Sequence, residues 1–193
     1  MKIREATLAD CREIAELALI AGEGIPAYFW QDSRQAGQDI EDVGAEKLKS
    51  ENENFSYRNA LIATIEEKIA GMMLAYKLED EEEDLDALPE FIRPLIELEQ
   101  LVPATFYINM LATFPKYRNM SIGTTLMQRV DAQALKKGCS TTSIQVFDEN
   151  EGALRLYLRL GYQIIDSRKV IPHSCHPYKG GEVLLLTRPV NSN

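Results

Sequence analysis

Apolar residues recur along the chain in two periods, and the switches between them lay out the predicted elements. A short strand candidate, KIREAT, precedes CREIAELALIAGEG, where Ile14, Leu17 and Ala18 recur at helical spacing between a Thr7 or Asp10 cap and a Gly22 and Gly24 stop. From Ile25 to Ser50 an aromatic cluster, Tyr28, Phe29 and Trp30, gives way to a weakly periodic polar pattern. That pattern predicts a helix in its later half and a loop near Gly37. The apolar runs Leu61 to Ile65 and Ile69 to Leu78 are separated by a short charged break at residues 66–68, which predicts a hairpin.

The run EDEEEDLDALPE gains nothing from burial, because its like charges repel, and predicts a solvated loop. FIRPLIELEQ predicts a short helix interrupted early by Pro94. In ATFYINMLATF, Phe106, Ile108 and Met110 fall on one side and Tyr107, Asn109 and Leu111 on the other, both largely apolar as in a central strand. A helix over residues 122–137 closed by Gly138 follows, then a strand, TTSIQVF. NEGALRLYLRLG predicts a helix with Ala153, Leu156, Tyr157 and Leu160 on one face, and YQIIDSRKV and EVLLLTRPV are the closing strands. This order predicts an α/β (α+β) fold, a mixed central sheet of six to seven strands, mostly antiparallel, with helices on both faces.

At 193 residues and 45% hydrophobic the chain can bury one sizeable core, so a single domain over 1–193 is expected. A net charge of -9 argues against a nucleic-acid surface, which needs clustered Lys and Arg, and suits cationic substrates. Cys11, Cys139 and Cys175 are odd in number and widely separated, so neither a disulfide framework nor a zinc knuckle is indicated. The start MKIREATLAD lacks an apolar leader core, and no stretch reaches the roughly 20 apolar residues that span a bilayer. A soluble, cytoplasmic protein with no membrane partner is the expectation.

Mixed sheets bind ligands where a strand leaves for a helix, and FPKYRNMSIGTTLMQRV does so with Lys116 and Arg118 ahead of the helix. Acidic residues are the usual preference there, so the basic pair suits either a bound anion such as phosphate or an ordinary strand-to-helix turn. Walker and dinucleotide glycine patterns are missing. There is no G-x-S-x-G elbow, and both histidines, His173 and His176, lie in one loop with Cys175, which speaks against a Ser-His-Asp hydrolase. The spacing of those three residues does not suit a tetrahedral metal, so no metal is expected and the loop is read as a substrate-side rim. In DENEGALRLYLRLGY, Asn150 can cap a helix, Tyr157 can pack in the core and Gly161 can close the helix.

Together the two blocks resemble the GNAT superfamily of acyl-CoA-dependent N-acetyltransferases. INMLATFPKYR followed by RNMSIGTTL resembles the R/Q-x-x-G-x-G/A pyrophosphate loop, from Arg118 to Gly123, with Ser121 at the usual middle glycine and Asn119 where another glycine is common. Asn150, Ala153, Leu156, Tyr157, Gly161 and Tyr162 match N-x-x-A-x-x-L-Y-x-x-x-G-F/Y at every fixed position. The resemblance implies a GNAT-like fold and direct transfer of acetyl from acetyl-CoA, the co-substrate, to a primary amine of a small molecule or peptide. Backbone groups of Arg118, Asn119, Met120, Ser121, Ile122 and Gly123, with Thr124, would hold the pyrophosphate. Those of Leu111, Ala112 and Thr113 would pair with the pantetheine arm.

In the same reading Asn150 would contact the arm, Ala153 belongs to the same cofactor-binding block, and Tyr157 would protonate the departing sulfur. The general base is left open, with Tyr107, Asn109, Glu97 and Glu99 near the relevant strand, each also readable as a surface or sheet residue. Tyr28, Phe29 and Trp30 are a second rim candidate, with core packing as the alternative. Dimers are frequent in that superfamily, so a homodimer is a further expectation. The competing function is a catalytically weak acyl-CoA-binding regulatory or sensor module of the same fold.

Overall fold

The computed structural model describes residues 1–80 and 83–191, so Glu81 and Glu82 of the predicted acidic loop lie outside it. Its strands are β1 (Lys2–Glu5), β2 (Ala60–Ile65), β3 (Lys68–Lys77), β4 (Phe106–Thr113), β5 (Thr141–Phe147), β6 (Gln163–Lys169) and β7 (Glu182–Pro189). They form one seven-stranded sheet in the order β1-β2-β3-β4-β5-β7-β6. β4 and β5 run parallel, whereas β1 with β2, β2 with β3, β5 with β7 and β6 with β7 are antiparallel, as the mixed-sheet expectation required. The helices are α1 (Cys11–Ala21), α2 (Ile25–Gln31), α3 (Ile40–Leu48), α4 (Arg93–Glu99), α5 (Ile122–Met127), α6 (Val130–Lys136) and α7 (Glu151–Arg159).

The chain divides into two compact units, Met1–Tyr76 with Asn109–Arg129 and Lys77–Ile108 with Val130–Asn193. In the first unit, alternation along β2 and β3 puts Ala60, Ile62, Met72 and Leu74 into one apolar cluster with Ile14, Leu17 and Ala18 of α1 and Leu48 of α3. The β2–β3 hairpin turns on Glu66 and Glu67, both left-handed at φ 51° and 60°, the geometry that matches strand twist. Gly71 of β3 points the opposite way from Met72, and a Cβ there would sit 2.9 Å from Ile122 Cγ2 and 2.6 Å from the Ala112 carbonyl oxygen. A side chain at Gly71 would therefore displace α5 from the sheet.

In the second unit β5 shows both faces of the sheet. Thr142 Oγ1 donates to the Arg188 carbonyl oxygen at 3.1 Å and lies 3.0 Å from the Tyr162 hydroxyl, while Arg188 of β7 binds Asp131 of α6. The next residue, Ser143, points the other way and meets the Thr105 hydroxyl at 2.6 Å. Gln145, on the Ser143 face, donates through Nε2 to the Leu95 carbonyl oxygen of α4 at 2.9 Å. Helices thus lie on both faces of this unit's strands.

Two sequence expectations need correction, and one stretch that carried no prediction folds as a helix. The aromatic stretch folds as α2, with Pro26 in its first turn where a missing N–H costs nothing, and packing of Trp30 outweighs its weak local helical signal. Pro94 likewise starts α4 instead of interrupting it. The helix expected over residues 122–137 breaks at Gln128 and Arg129, where Arg129 N–H bonds to Leu126 O at 2.9 Å. Leu126 before the break and Val130 after it are both fully buried.

Candidate functional site

The β4 exit is fixed inside the first unit before the loop begins. Phe114 N–H donates to the Ala70 carbonyl oxygen at 2.9 Å, so β3 holds the strand end in place. Pro115–Tyr117 then form a single 3₁₀ turn, and Lys116 Nζ lies 4.9 Å from the centre of the Tyr117 ring. Asn119 and Ser121 both take left-handed conformations, at φ 63° and 60°. That conformation is why glycine suits these positions, and the two small polar residues keep it at modest strain. Arg118, Asn119, Met120 and Ser121 are exposed, while Ile122 is buried as the anchor of α5.

The first intrahelical bond of α5 is from Thr125 N–H to Ser121 O, at 3.0 Å. The N–H groups of Ile122 and Gly123 precede that bond and, by helix geometry, have no acceptor within α5. A loop with two left-handed residues, preceded by the exposed Arg118, is of the kind that can hold an anionic group. Beside it lies a cavity of about 700 Å³ lined by Glu13, Glu16, Lys68 and Lys116 among others. It carries both signs of charge and has no particular fit to a diphosphate.

In the second unit, the other block fixes the orientation of Tyr157. Asn150 Oδ1 accepts from Ala153 N–H at 3.2 Å and caps α7, the capping role open to it in the sequence. Gly161, at φ 88°, closes the same helix, with Tyr162 N–H returning to Tyr157 O at 3.1 Å. Tyr157 is 5% exposed and its ring meets Tyr162 edge-on, with centroids 6.2 Å apart. Tyr162 in turn lies against Thr142, so Tyr157 belongs to the Thr142 face of β5. Burial raises the Tyr162 hydroxyl pKa, so this phenol stays neutral.

The family model of the acetyltransferase (GNAT) family matches residues 26–162, spanning both blocks. The chain belongs to the GNAT family. Over 57 residues it is 40% identical to thialysine N-epsilon-acetyltransferase of Mus musculus, a stretch covering 30% of this chain and 34% of that enzyme. The match therefore spans about a third of that relative's length. Among solved structures, an agmatine N-acetyltransferase superposes with a TM-score of 0.70 at 19% identity, covering 97% of this chain and 98% of that one. A polyamine N-acetyltransferase of Drosophila melanogaster gives 0.66 at 17% identity, covering 97% and 99%. These structures share the GNAT fold.

Within this GNAT chain the acidic candidates separate. Glu97 Oε2 accepts from Arg168 Nε at 2.8 Å, and Arg168 also holds Asp166, so Glu97 is part of an ion-pair cluster on α4 and β6. Glu99, one turn from Leu95 on the same helix, accepts instead from the Tyr107 hydroxyl of β4. Burial lifts its carboxyl pKa from 4.5 to about 7, the Glu83 charge adds to the rise, and the Tyr107 hydrogen bond opposes it. The sequence placed Glu97 and Glu99 on the same footing; tertiary partners tell them apart.

The rim candidates also divide. Trp30 is 4% exposed and packs on Phe55, centroids 5.8 Å apart, so it is core, whereas Tyr28 and Phe29 stay exposed. In the loop before β7, His173 stacks on Phe91 at 4.1 Å, and its Nδ1 accepts from Cys175 N–H at 3.2 Å. His176 is buried beside Phe147 and Tyr178, with Nε2 3.2 Å from the Ile171 carbonyl oxygen. Burial raises the Cys175 thiol pKa. These side chains build an aromatic wall.

Proposed function

We propose that the chain is an N-acetyltransferase that moves the acetyl group of acetyl-CoA directly to a primary amine within a ternary complex. The observation that carries this reading is the left-handed pair Asn119 and Ser121, a glycine-type backbone kept without glycines at the β4 exit of a GNAT chain. Backbone N–H groups from Arg118 to Gly123, with Thr124, hold the pyrophosphate in this scheme, and Arg118 adds charge. The backbone of Leu111 to Thr113 carries the pantetheine arm, and Asn150 and Ala153 are assigned to cofactor binding through the GNAT block they match. The acceptor is a cationic small-molecule amine, in keeping with the chain's net charge of -9 and with relatives named for thialysine, agmatine and polyamines. The site of action is the cytoplasm.

The attacking nitrogen forms a C–N bond to the thioester carbon, and the C–S bond breaks with its electron pair on sulfur. Tyr157 gives the sulfur its proton, a role that suits a buried phenol held in one orientation by a capped and closed helix. The scheme needs no covalent enzyme intermediate.

Thermal unfolding with acetyl-CoA, free CoA and ATP, followed by thiol release with an amine panel, tests the reading. Stabilisation by both CoA species and turnover that falls about 10²-fold in Tyr157→Phe are expected. Stabilisation without turnover on any amine would favour the binding-only sensor module. No stabilisation at millimolar ligand would overturn the transferase reading.

A further inference from the structure

The transferase reading leaves one proton unassigned. An alkyl amine is an ammonium ion at neutral pH and cannot attack until a proton leaves it. The group that takes this proton must be ionised near neutrality, and within reach of a bound amine while the sulfur is served from elsewhere. The paired strands β4 and β5 set out two such sides inside the second unit. Phe106, Tyr107 and Ile108 pair with Thr142, Ser143 and Ile144, so neighbouring pairs face opposite ways. Tyr157 belongs to the Thr142 side through Tyr162. Tyr107 shares the Ser143 side, and there its hydroxyl meets Glu99.

Three carboxylates of this unit are held by arginines. Glu97 and Asp166 bind Arg168, and Asp131 binds Arg188. What acts on Glu99 is a phenol, Tyr107 from β4, and another carboxylate, Glu83 from the loop before α4. A carboxylate kept from arginine retains its basicity, and a carboxylate balanced near neutrality is suited to exchanging protons. A second acceptor lies on the same side. Gln145 gives its Nε2 to Leu95 O, while its Oε1 is buried with no hydrogen-bond partner among the described residues. Leu95 and Glu99 are one helical turn apart, about 6 Å along α4. A protonated amine between them would satisfy both an orphaned oxygen and a carboxylate.

Resting on the transferase reading, we infer that Glu99 is the general base of the reaction, taking a proton from the acceptor ammonium on the α4 side of β4 and β5 while Gln145 Oε1 orients the nitrogen. Glu99 takes one proton and leaves a neutral amine, whose lone pair forms the C–N bond. The C–S bond breaks, the sulfur takes the Tyr157 proton, and the surplus proton on the new amide nitrogen returns to Tyr157. Glu99 releases its proton to solvent, and every atom is accounted for. Tyr107 is a positioning residue. Its hydrogen bond favours the charged carboxylate, and its loss raises the Glu99 pKa further.

The test measures kcat and KM against pH for wild type, Glu99→Gln, Glu99→Asp, Tyr107→Phe and Gln145→Leu, with acetyl-CoA and a primary-amine panel that includes agmatine, spermidine and thialysine. Acetyl-CoA thermal shifts on every variant report folding and co-substrate binding separately. Glu99→Gln is expected to lose about 10²- to 10³-fold in kcat near pH 7, with activity climbing toward high pH as the amine deprotonates unaided. Tyr107→Phe should move the acidic limb of the profile upward. Glu99→Asp should recover part of the rate, and Gln145→Leu should raise KM for the amine more than it lowers kcat. A Glu99→Gln enzyme that keeps its acetyl-CoA shift, its rate within threefold and an unchanged pH profile overturns the assignment. A wild type with no acetyl-CoA shift and no turnover overturns the transferase reading itself, a result distinguishable from the first.

Discussion

Asp10 and Arg4 meet through two hydrogen bonds of 2.7 Å each, one from each terminal nitrogen of the guanidinium. Asp10 Oδ2 also accepts from the backbone and hydroxyl of Thr7, at 2.7 and 2.8 Å, so one carboxylate joins β1 to the turn that starts α1. The Arg4 hydrogen bond comes first among the causes that hold its pKa near 2, below the ordinary 3.8. A carboxyl lowered by folding adds stability above its unfolded pKa, and that stability is lost as pH falls through the folded value.

For Asp10 the window runs from about pH 4 down to about pH 2. Because Arg4 is partly exposed, the contribution is discounted to about 1–2 kcal/mol. Urea unfolding of Asp10→Asn should show that loss at pH 7 and convergence with wild type near pH 2. Equal stability at pH 7 would mean the pair contributes nothing.

Ser121 carries a left-handed backbone at a position where the GNAT pattern has glycine. Ser121→Gly removes strain in the folded state but adds entropy to the unfolded one, so stability should move by less than about 1 kcal/mol. Calorimetric affinity for CoA should tighten, because the backbone can approach an anion without a Cβ. Ser121→Val should cost about 1–2 kcal/mol and weaken CoA binding. Identical CoA affinity in all three proteins would remove this loop from the binding site.

Gly44 lies inside α3, where alanine would ordinarily be favoured by up to about 1 kcal/mol. A Cβ there would stand 2.4 Å from Trp30 Cη2 and Cζ3, so overpacking should reverse the sign. Gly44→Ala is expected to lose about 1–3 kcal/mol in thermal or urea unfolding, with a shifted emission from Trp30, the chain's one tryptophan. Combining it with Trp30→Phe should return part of the loss, and a double variant no better than the single one would point to a different cause.

The sequence by itself determined the succession of elements, the hairpin at Glu66 and the two blocks around Arg118 and Asn150, because alternation, helical spacing and cap chemistry are local properties, whereas the insertion of β7 between β5 and β6 was decided by tertiary pairing. Local signals also misled. Pro94 read as an interruption, yet it sits in the first turn of α4, where proline is tolerated, as does Pro26 in α2, a helix that the local pattern did not announce and that the buried Trp30 anchors. The loop motif was legible, but only backbone angles established that Asn119 and Ser121 adopt the conformation glycine would have supplied. Glu97 and Glu99 were equivalent in the sequence, two positions apart on one predicted helix. Tertiary structure gave one an arginine from β6 and the other a phenol from β4, because a side chain's charge state depends on distant partners and burial that spacing along the chain does not encode.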